Sequence, residues 1–203
     1  MRTNRRKMIR LSSLPTSYER LEYIENTSTA YIDCGLKPKH TFDYEVKTNI
    51  ITGDSILGCM FKDERHDFRF FSLNPNAYFD VGYNRISVSI KRATGYMIHV
   101  KFGNYFIESL VNKEKTTGAI FDETMNMATI TNLIIWARII IPNIVNPNYI
   151  AKGKIWLLNI NDNGKPIRKF IPVKRKSDGM IGMYDLVGRK FYTSPNGVAF
   201  TGG

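Results

Sequence analysis

Alternation of apolar and polar residues along short segments is the feature that most limits how this chain can fold. In "RISVSIK", Ile86, Val88 and Ile90 alternate with polar residues, so an extended backbone places them on one face. In "YMIHVKFGNYFIESLV" the alternation stops at Gly103-Asn104 and then resumes. Glycine and asparagine tolerate the positive φ of a tight turn, so this segment predicts a β-hairpin.

Further short runs rich in aromatic and β-branched residues extend this pattern. They are "FRFFSL", "AYFDVGY", "NLIIWARIII", "GKIWLLNI" and "KFIPV", and segments such as "LNPN" and "NDNGK" separate them. Apolar residues on both faces of "IWLLNI" predict an interior strand, whereas Pro166 and Pro172 predict that "KPIRKFIPV" lies at a sheet edge. Helical periodicity is almost absent. The sequence therefore predicts an all-β fold, an antiparallel two-sheet sandwich.

The expected organisation is a basic N-terminal arm, residues 1–13, followed by a single sandwich domain, residues 14–203. A chain of 203 residues with 43% hydrophobic residues can bury one substantial core. The apolar run "NLIIWARIIIPNIV" is interrupted by Arg138 and Pro142, which predicts no membrane span. The N-terminus has no apolar stretch of signal-peptide length. Cys34 and Cys59 are expected to be buried small residues rather than a disulfide.

Positive charge is concentrated in two segments of this chain, whose net charge is +11. The first ten residues contain no acid and five cations, the predicted anchoring residues Arg2, Arg5, Arg6, Lys7 and Arg10. Residues 152–176 contain eight cations against Asp162, and six of the eight form a predicted basic patch: Lys165, Arg168, Lys169, Lys174, Arg175 and Lys176.

Such a distribution favours docking onto an acidic partner over the alternative of a solubilising tail. The partner could be nucleic acid, a membrane surface or an acidic protein surface. No helix-turn-helix, zinc-finger or RNA-binding motif accompanies the charge, so any contact with nucleic acid is predicted to be electrostatic and non-specific.

Residues suited to catalysis or metal binding do not form a recognisable constellation. The three histidines, His40, His66 and His99, are scattered, and "DERHDF" around His66 is better explained as a solvated charged loop than as a metal site. No strand carries the paired carboxylates of a sandwich-type glycosidase. Isolated carboxylates at positions 33, 80 and 185 are interpreted as turn acceptors. We expect no enzyme activity, no metal and no cofactor.

The stretch "IGMYDLVGRKFYTS" resembles an active-site motif but predicts a hairpin. Gly182 and Gly188 fit a bend and a tight turn, and Asp185 is placed to accept hydrogen bonds from backbone N–H groups.

Aromatic residues leave a carbohydrate-binding function open, because sugar rings stack on exposed aromatic side chains. Trp136 and Trp156 lie in strongly apolar runs and are predicted to be buried. Tyr78, Tyr83 and Tyr105 lie near predicted turns, so they are the candidate glycan-stacking residues.

Two segments resemble a known family. "LPTSYERLEYIENTSTAYIDCG", residues 14–35, is similar to the "LP.GY..LEYIESTGTQYIDTG" opening of a family of bacteriophage and prophage structural proteins. The chain's end, from "KIWLLNINDNGKPIRKFIPV" through "GMIGMYDLVGRKFY" to "GVAFTGG", resembles that family's "KIY...I.DNG.LVRDFIPC" and "G.VGLYDLVNGKFY.N.GTG.FT.G" patterns. The two segments cover about a third of the chain and lie at its opposite ends, as expected if the terminal strands pair.

The resemblance implies a concanavalin A-like, LamG-like jelly roll in a phage head, fibre or tail. It implies a non-enzymatic virion protein, made in the host cytoplasm, whose partners are capsid, head-fibre or tail proteins. The alternative is an adhesion module that binds host-surface glycans. The basic arm before Leu14 and the run "VKRKSD" depart from the family patterns and favour attachment over a purely sugar-binding role.

Overall fold

The computed structural model describes residues 13–52, 55–60, 67–73, 76–90, 97–120, 130–137, 139–141, 144–145 and 149–203. Nineteen β-strands lie within these residues. The described part of the chain contains no helix with the length and apolar character needed to cross a membrane. The predicted anchoring residues of the basic arm fall outside the described residues.

The strands are short, and only three of them reach 11 residues. In chain order they are β1 (Tyr18–Arg20), β2 (Ile24–Asn26), β3 (Ile32–Asp33), β4 (Phe42–Thr52), β5 (Ser55–Met60), β6 (Asp67–Leu73), β7 (Asn76–Gly82), β8 (Asn84–Ser89), β9 (Ile98–Gly103), β10 (Phe106–Ser109), β11 (Glu114–Thr117), β12 (Ile134–Ile135), β13 (Ile139–Ile141), β14 (Ile144–Val145), β15 (Lys152–Asp162), β16 (Lys165–Arg175), β17 (Ile181–Asp185), β18 (Lys190–Tyr192) and β19 (Thr201–Gly202).

Two antiparallel sheets contain almost all of these strands. The larger has 11 strands in the order β11-β10-β9-β4-β15-β16-β17-β18, with β1 paired to β16, and β2 paired to both β15 and β19. The smaller has six strands in the order β3-β12-β5-β6-β7-β8. Strands β13 and β14 pair only with each other.

The main core lies between the two sheets, where the alternating apolar residues of both meet. Phe102 on β9 of the larger sheet packs against Phe70 and Phe79 of the smaller sheet, at ring-centroid distances of 4.6 and 4.7 Å. Tyr44 on β4 lies opposite Phe102 in the larger sheet and stacks on its ring at 5.0 Å. Burying each such ring contributes about 1.5–3 kcal/mol. The predicted all-β fold, an antiparallel two-sheet sandwich, is confirmed.

The predicted interior strand is β15, which pairs with β4 on one side and with β16 and β2 on the other. The edge position predicted for "KPIRKFIPV" is wrong, because β16 has β15 and β1 on one side and β17 on the other. Pro172 is tolerated because β16 changes partner from β15 to β1 at this point. Its carbonyl accepts from the Leu21 N–H, so its nitrogen, which cannot donate, faces the same break in the ladder.

The predicted hairpin in "YMIHVKFGNYFIESLV" is confirmed as β9–β10, but its turn differs from the prediction. Gly103 pairs with Phe106, so Asn104 and Tyr105 form the loop. Neither Gly103 nor Asn104 has a positive φ. Gly103 is needed for close approach instead, since a Cβ atom there would lie 3.3 Å from the Phe42 carbonyl oxygen and from the Phe106 ring.

Both cysteines are buried thiols, as predicted. Burial raises the pKa of Cys34, so it stays protonated. Trp136 is buried, which confirms that prediction, and packs against Phe200. Trp156 is only half-buried, so its predicted burial is wrong. It follows the buried Ile155 in β15 and therefore lies on the opposite face, with its ring centroid 6.0 Å from that of Tyr23.

Candidate functional site

The two ends of the domain are joined in one layer of the larger sheet. Tyr18 on β1 lies opposite Arg175 on β16, and the Lys176 N–H donates to the Ser17 carbonyl oxygen at 2.9 Å. Near the other terminus, β19 pairs with β2. We call strands β1, β16, β17 and β18 the terminal-strand layer. The pairing of terminal strands expected from the family patterns is therefore present.

A small apolar cluster on the outer face holds this layer together. Ile171 and Val173 on β16 are buried with Tyr184 on β17, separately from the main core. The Tyr18 ring covers them, with its centroid 4.9 Å from that of Tyr184 and 5.5 Å from that of Phe191. The N-terminal segment is thus packed onto the closing strands as well as hydrogen-bonded to them.

The segment "IGMYDLVGRKFYTS" forms the predicted closing hairpin, β17–β18. The Asp185 carboxylate is 0% exposed and accepts hydrogen bonds from the backbone N–H groups of Lys169, Val187 and Gly188 at 2.9–3.0 Å. Arg168 Nε lies 3.5 Å from its Oδ2 atom. Asp185 is therefore a turn acceptor that also forms a buried ion pair. Both of its oxygen atoms accept hydrogen bonds that stabilise the fold.

The sequence also predicts that Asp33 and Asp80 are turn acceptors. Asp33 is one, since its Oδ1 atom accepts from the Gly35 N–H at 2.7 Å. Asp80 is not: it lies buried on β7, where its oxygen atoms accept from Arg69 and Arg85. Both partners lie within 11 residues of Asp80, but the sequence did not show that their side chains share its face of the sheet.

The residues of the predicted basic patch do not form one surface. Lys165 and Lys174 lie near opposite ends of β16, about 30 Å apart by strand geometry. Between them, Arg168 forms an ion pair with Asp185, and Lys169 is half-buried beside the closing turn. Only residues 174–176 lie together at an exposed end.

We call residues 174–176 together with Arg20 the basic corner. Lys174, Lys176 and Arg20 are exposed, while Arg175 makes a two-pronged ion pair with Asp178. This pair lowers the pKa of Asp178, with help from the Met180 N–H. Glu19 lies opposite Lys174, so the corner retains a modest excess of positive charge. The first described residues, which follow the basic arm in the chain, adjoin this corner at Ser17.

A pocket of about 310 Å³ opens beside the basic corner. It lies between the β16–β17 turn and the loop after β18. Its lining includes Asp178, Met180, Ile181, Thr193, Val198 and Phe200. No local sequence pattern indicates this pocket, because its two walls are separated along the chain and meet only through strand pairing.

The candidate glycan-stacking residues divide into two kinds. Tyr83 and Tyr105 are 75% and 64% exposed, in the β7–β8 and β9–β10 turns. Tyr78 is half-buried instead, because its ring stacks on Phe71 at 5.1 Å. We call the two turns, residues 82–84 and 103–105, the tyrosine end.

Hydrogen bonds connect the two turns of the tyrosine end. The Asn84 side chain donates to the Ile120 carbonyl oxygen at 2.9 Å, and the Ile120 N–H donates to the Asn104 carbonyl oxygen at 2.9 Å. The two exposed tyrosines therefore belong to one end of the sandwich. The β15–β16 turn lies at the same end. The Asn163 N–H donates to the carbonyl oxygen of Thr41, which is close in sequence to Asp43, the residue paired with Gly103.

No group of three or more His, Cys, Asp or Glu side chains within the described ranges could hold a metal ion. His66 and the residues before it in "DERHDF" lie outside those ranges. His99 is paired with Glu45 at 2.9 Å. Burial alone would raise the pKa of Glu45, but hydrogen bonds from His99 and Asn159 outweigh burial and lower it.

No family model matches this chain, and neither does any curated protein. Among solved structures, it is similar to a native heptameric SAP-like pentraxin from Limulus polyphemus, with 12% identity, 77% of this chain and 76% of that chain covered, and a TM-score of 0.40. It is also similar to Scytalido-glutamic peptidase bound to a peptide-based transition state analog, with 11% identity, 87% and 98% covered, and a TM-score of 0.36. One of the two is a peptidase, so together they do not decide whether this chain is an enzyme.

Proposed function

We propose that this chain is a non-enzymatic structural component of a bacteriophage particle that attaches to other virion proteins through its basic arm and basic corner. The observation that carries the proposal is that the segment following the basic arm pairs with the end of β16, which holds part of the second basic segment. Residues 1–10 and 174–176 are far apart in sequence, yet the segment that follows the arm is hydrogen-bonded to Lys176 at Ser17. Positive charge so arranged favours docking onto an acidic protein surface.

The non-enzymatic part of the proposal is supported by the way the buried carboxylates are used. Asp185 accepts three backbone hydrogen bonds, and Asp80 is held between two arginines. A general acid or nucleophile needs an oxygen atom that can reach a substrate, which neither arrangement offers. The chain would be synthesised in the host cytoplasm and reside in the virion, with capsid, head-fibre or tail proteins as partners and only non-specific contact with nucleic acid.

Incorporation into particles tests the attachment. The tagged wild-type chain should co-purify with phage particles, and deletion of residues 1–13 should remove it from them while its thermal unfolding stays cooperative. Replacing the arm's five cations by glutamine should have the same effect, because it removes charge and keeps length. The substitution Lys165→Glu, at the far end of β16, is the matched control and should leave incorporation unchanged. Normal incorporation of the deletion variant would refute attachment through the arm.

A glycan-binding adhesion module is the second candidate, and the tyrosine end favours it. Two strongly exposed rings on connected turns, beside the amide side chain of Asn84, provide stacking surface and hydrogen-bonding groups together. A glycan array with the wild type, with Tyr83→Ala/Tyr105→Ala and with Val111→Ala tests it. Saturable binding lost in the tyrosine variant alone would support the adhesion function, and binding equal in all three proteins would exclude these rings.

A further inference from the structure

The pocket beside the basic corner is lined by polar side chains that are already engaged. Asp178 is paired with Arg175. The Thr193 hydroxyl donates to the Ile181 carbonyl oxygen, and the Ser194 hydroxyl donates to the Asn196 side chain while accepting from the Tyr31 N–H. A ligand that needs many hydrogen bonds, such as a sugar or a phosphate, would have to compete with these partners.

What the pocket offers is apolar contact. Met180 is 41% exposed at its wall, Ile181 and Val198 are half-buried, and the buried residue Phe200 also lines it. A volume of about 310 Å³ is ample for one large apolar side chain. The removal of such a side chain from water would drive its insertion.

A modest excess of positive charge lies beside the pocket. Lys174, Arg175, Lys176 and Arg20 of the basic corner outnumber the two carboxylates near them, Glu19 opposite Lys174 and Asp178, which is paired with Arg175. Lys174 reaches over the turn, since its Cε atom lies 3.7 Å from where a Cβ atom of Gly179 would be. A segment that inserts an apolar side chain would therefore place its neighbouring residues against lysines.

We propose that this pocket binds a large apolar side chain, such as leucine or phenylalanine, presented by an acidic polypeptide segment of a partner protein. The inference rests on the proposed attachment function and adds a specificity element to it. The arm and corner supply long-range attraction to an acidic surface, and the pocket selects the part of that surface that carries an apolar side chain.

Synthetic peptides test this directly on the full chain. The probe is a fluorescent peptide of Asp and Glu residues with one central leucine, and the comparison peptide carries serine in place of leucine. The measurement is made at about 150 mM salt, which is physiological ionic strength. The leucine peptide should bind about tenfold more tightly than the serine peptide, because burying one leucine side chain contributes at least that much binding free energy. Equal affinity of the two peptides would overturn the proposal, because charge alone would then account for the binding.

Variants locate the binding. Met180→Glu and Ala199→Trp, which charge and fill the pocket, should each abolish the preference for leucine. Val187→Glu is the matched control for Met180→Glu, because Val187 is similarly exposed, at 39%, in the β17–β18 turn. Lys174→Glu should weaken binding of both peptides several-fold, whereas Lys165→Glu should not. A leucine preference that survives both pocket variants would refute the assignment.

A photo-reactive leucine in the same peptide gives an independent readout. Its cross-links should map to residues 178–181, 193–194 and 197–200, which line the pocket, and cross-links mapping elsewhere would overturn the proposal. These experiments distinguish a failure of the pocket inference from a failure of the proposed function. If the peptides show no leucine preference while deletion of residues 1–13 still removes the chain from particles, only the pocket inference falls. If the peptides bind as expected but the wild-type chain is absent from particles, the virion proposal falls.

Discussion

The terminal-strand layer and the tyrosine end are built in opposite ways, although β16 runs from one to the other. In the layer, a backbone hydrogen bond connects Ser17 and Lys176, which are far apart in the sequence. The buried Asp185 carboxylate there accepts backbone hydrogen bonds and is paired with Arg168. The tyrosine end consists of turns within local hairpins, and its two most prominent side chains, Tyr83 and Tyr105, lie mostly in solvent.

This difference separates positions that stabilise the fold from positions available for binding. Side chains in the layer are fixed by several partners each, so substitutions there should lower the free energy of unfolding. The two tyrosine rings at the tyrosine end are mostly exposed, so substituting them should change the free energy of unfolding little. The comparison therefore makes paired predictions, one variant from each region.

The largest effect is expected for Asp185→Ala. The substitution leaves three backbone N–H groups without their acceptor and Arg168 without its counter-charge, which should cost about 3–5 kcal/mol of unfolding free energy. Its partner from the tyrosine end is Asn84→Ala, which removes one side-chain hydrogen bond and should cost about 1 kcal/mol. Urea denaturation followed by tryptophan fluorescence measures both. Equal losses in the two variants would contradict the contrast.

A glycine pair gives the next largest difference. A Cβ atom at Gly188 would lie 2.5 Å from Asp185 Oδ2, so Gly188→Val should displace the carboxylate and cost about 2–3 kcal/mol. Gly118, whose N–H donates to the Tyr105 carbonyl oxygen, has no atom within 4 Å of its Cβ position. Gly118→Val should change stability by less than about 0.5 kcal/mol. Thermal unfolding of the two variants compares them, and a stable Gly188→Val protein would show that the turn tolerates a side chain.

Local patterns predicted the hairpins well. The alternation around Ile98 and the turn residues near Gly103 identified β9–β10, and "IGMYDLVGRKFY" identified β17–β18 with Asp185 as its turn acceptor. These features depend on neighbours a few residues apart, which is the range over which strand periodicity and turn chemistry act. The same range explains the error at Pro172, because the break in its ladder is created by β1, which lies far away in sequence.

The candidate site was harder to predict, because long-range pairing decides which charges meet. Composition identified two basic segments but treated Lys165 and Lys174 as one patch, although β16 separates them. The predicted basic patch also includes Arg168, whose charge is paired with that of Asp185. The pocket left no sequence signal, since Met180 and Val198 become neighbours only when the closing hairpin and the loop after it are in place.

An aromatic pair extends the contrast to smaller energies. Tyr18→Ala removes a ring that packs on Tyr184 and Phe191, and should cost about 1–2 kcal/mol. Tyr105→Ala removes an exposed ring and should change the unfolding free energy by less than about 0.5 kcal/mol. Denaturant midpoints of the two variants, measured side by side, give the comparison. A larger loss for Tyr105→Ala would mean that the tyrosine end also stabilises the fold.

The smallest effect is expected at the exposed carboxylate of the basic corner. Hydrogen bonds from Arg175, and then from the Met180 N–H, lower the pKa of Asp178 in the folded protein. A lowered folded-state pKa means that the stabilisation is present above the unfolded-state pKa and is lost as the pH falls through the folded-state value.

Substituting Arg175→Gln should therefore raise the pKa of Asp178 toward its ordinary value, which an NMR titration of the side-chain carboxyl carbon from about pH 2 to pH 6 would detect. High salt should reduce the difference between the two proteins, because this ion pair is exposed to solvent. The denaturation midpoint at neutral pH should change far less than in Asp185→Ala. If it fell as much, the exposed pair would stabilise the layer as strongly as the buried carboxylate, and burial would not be the property that separates them.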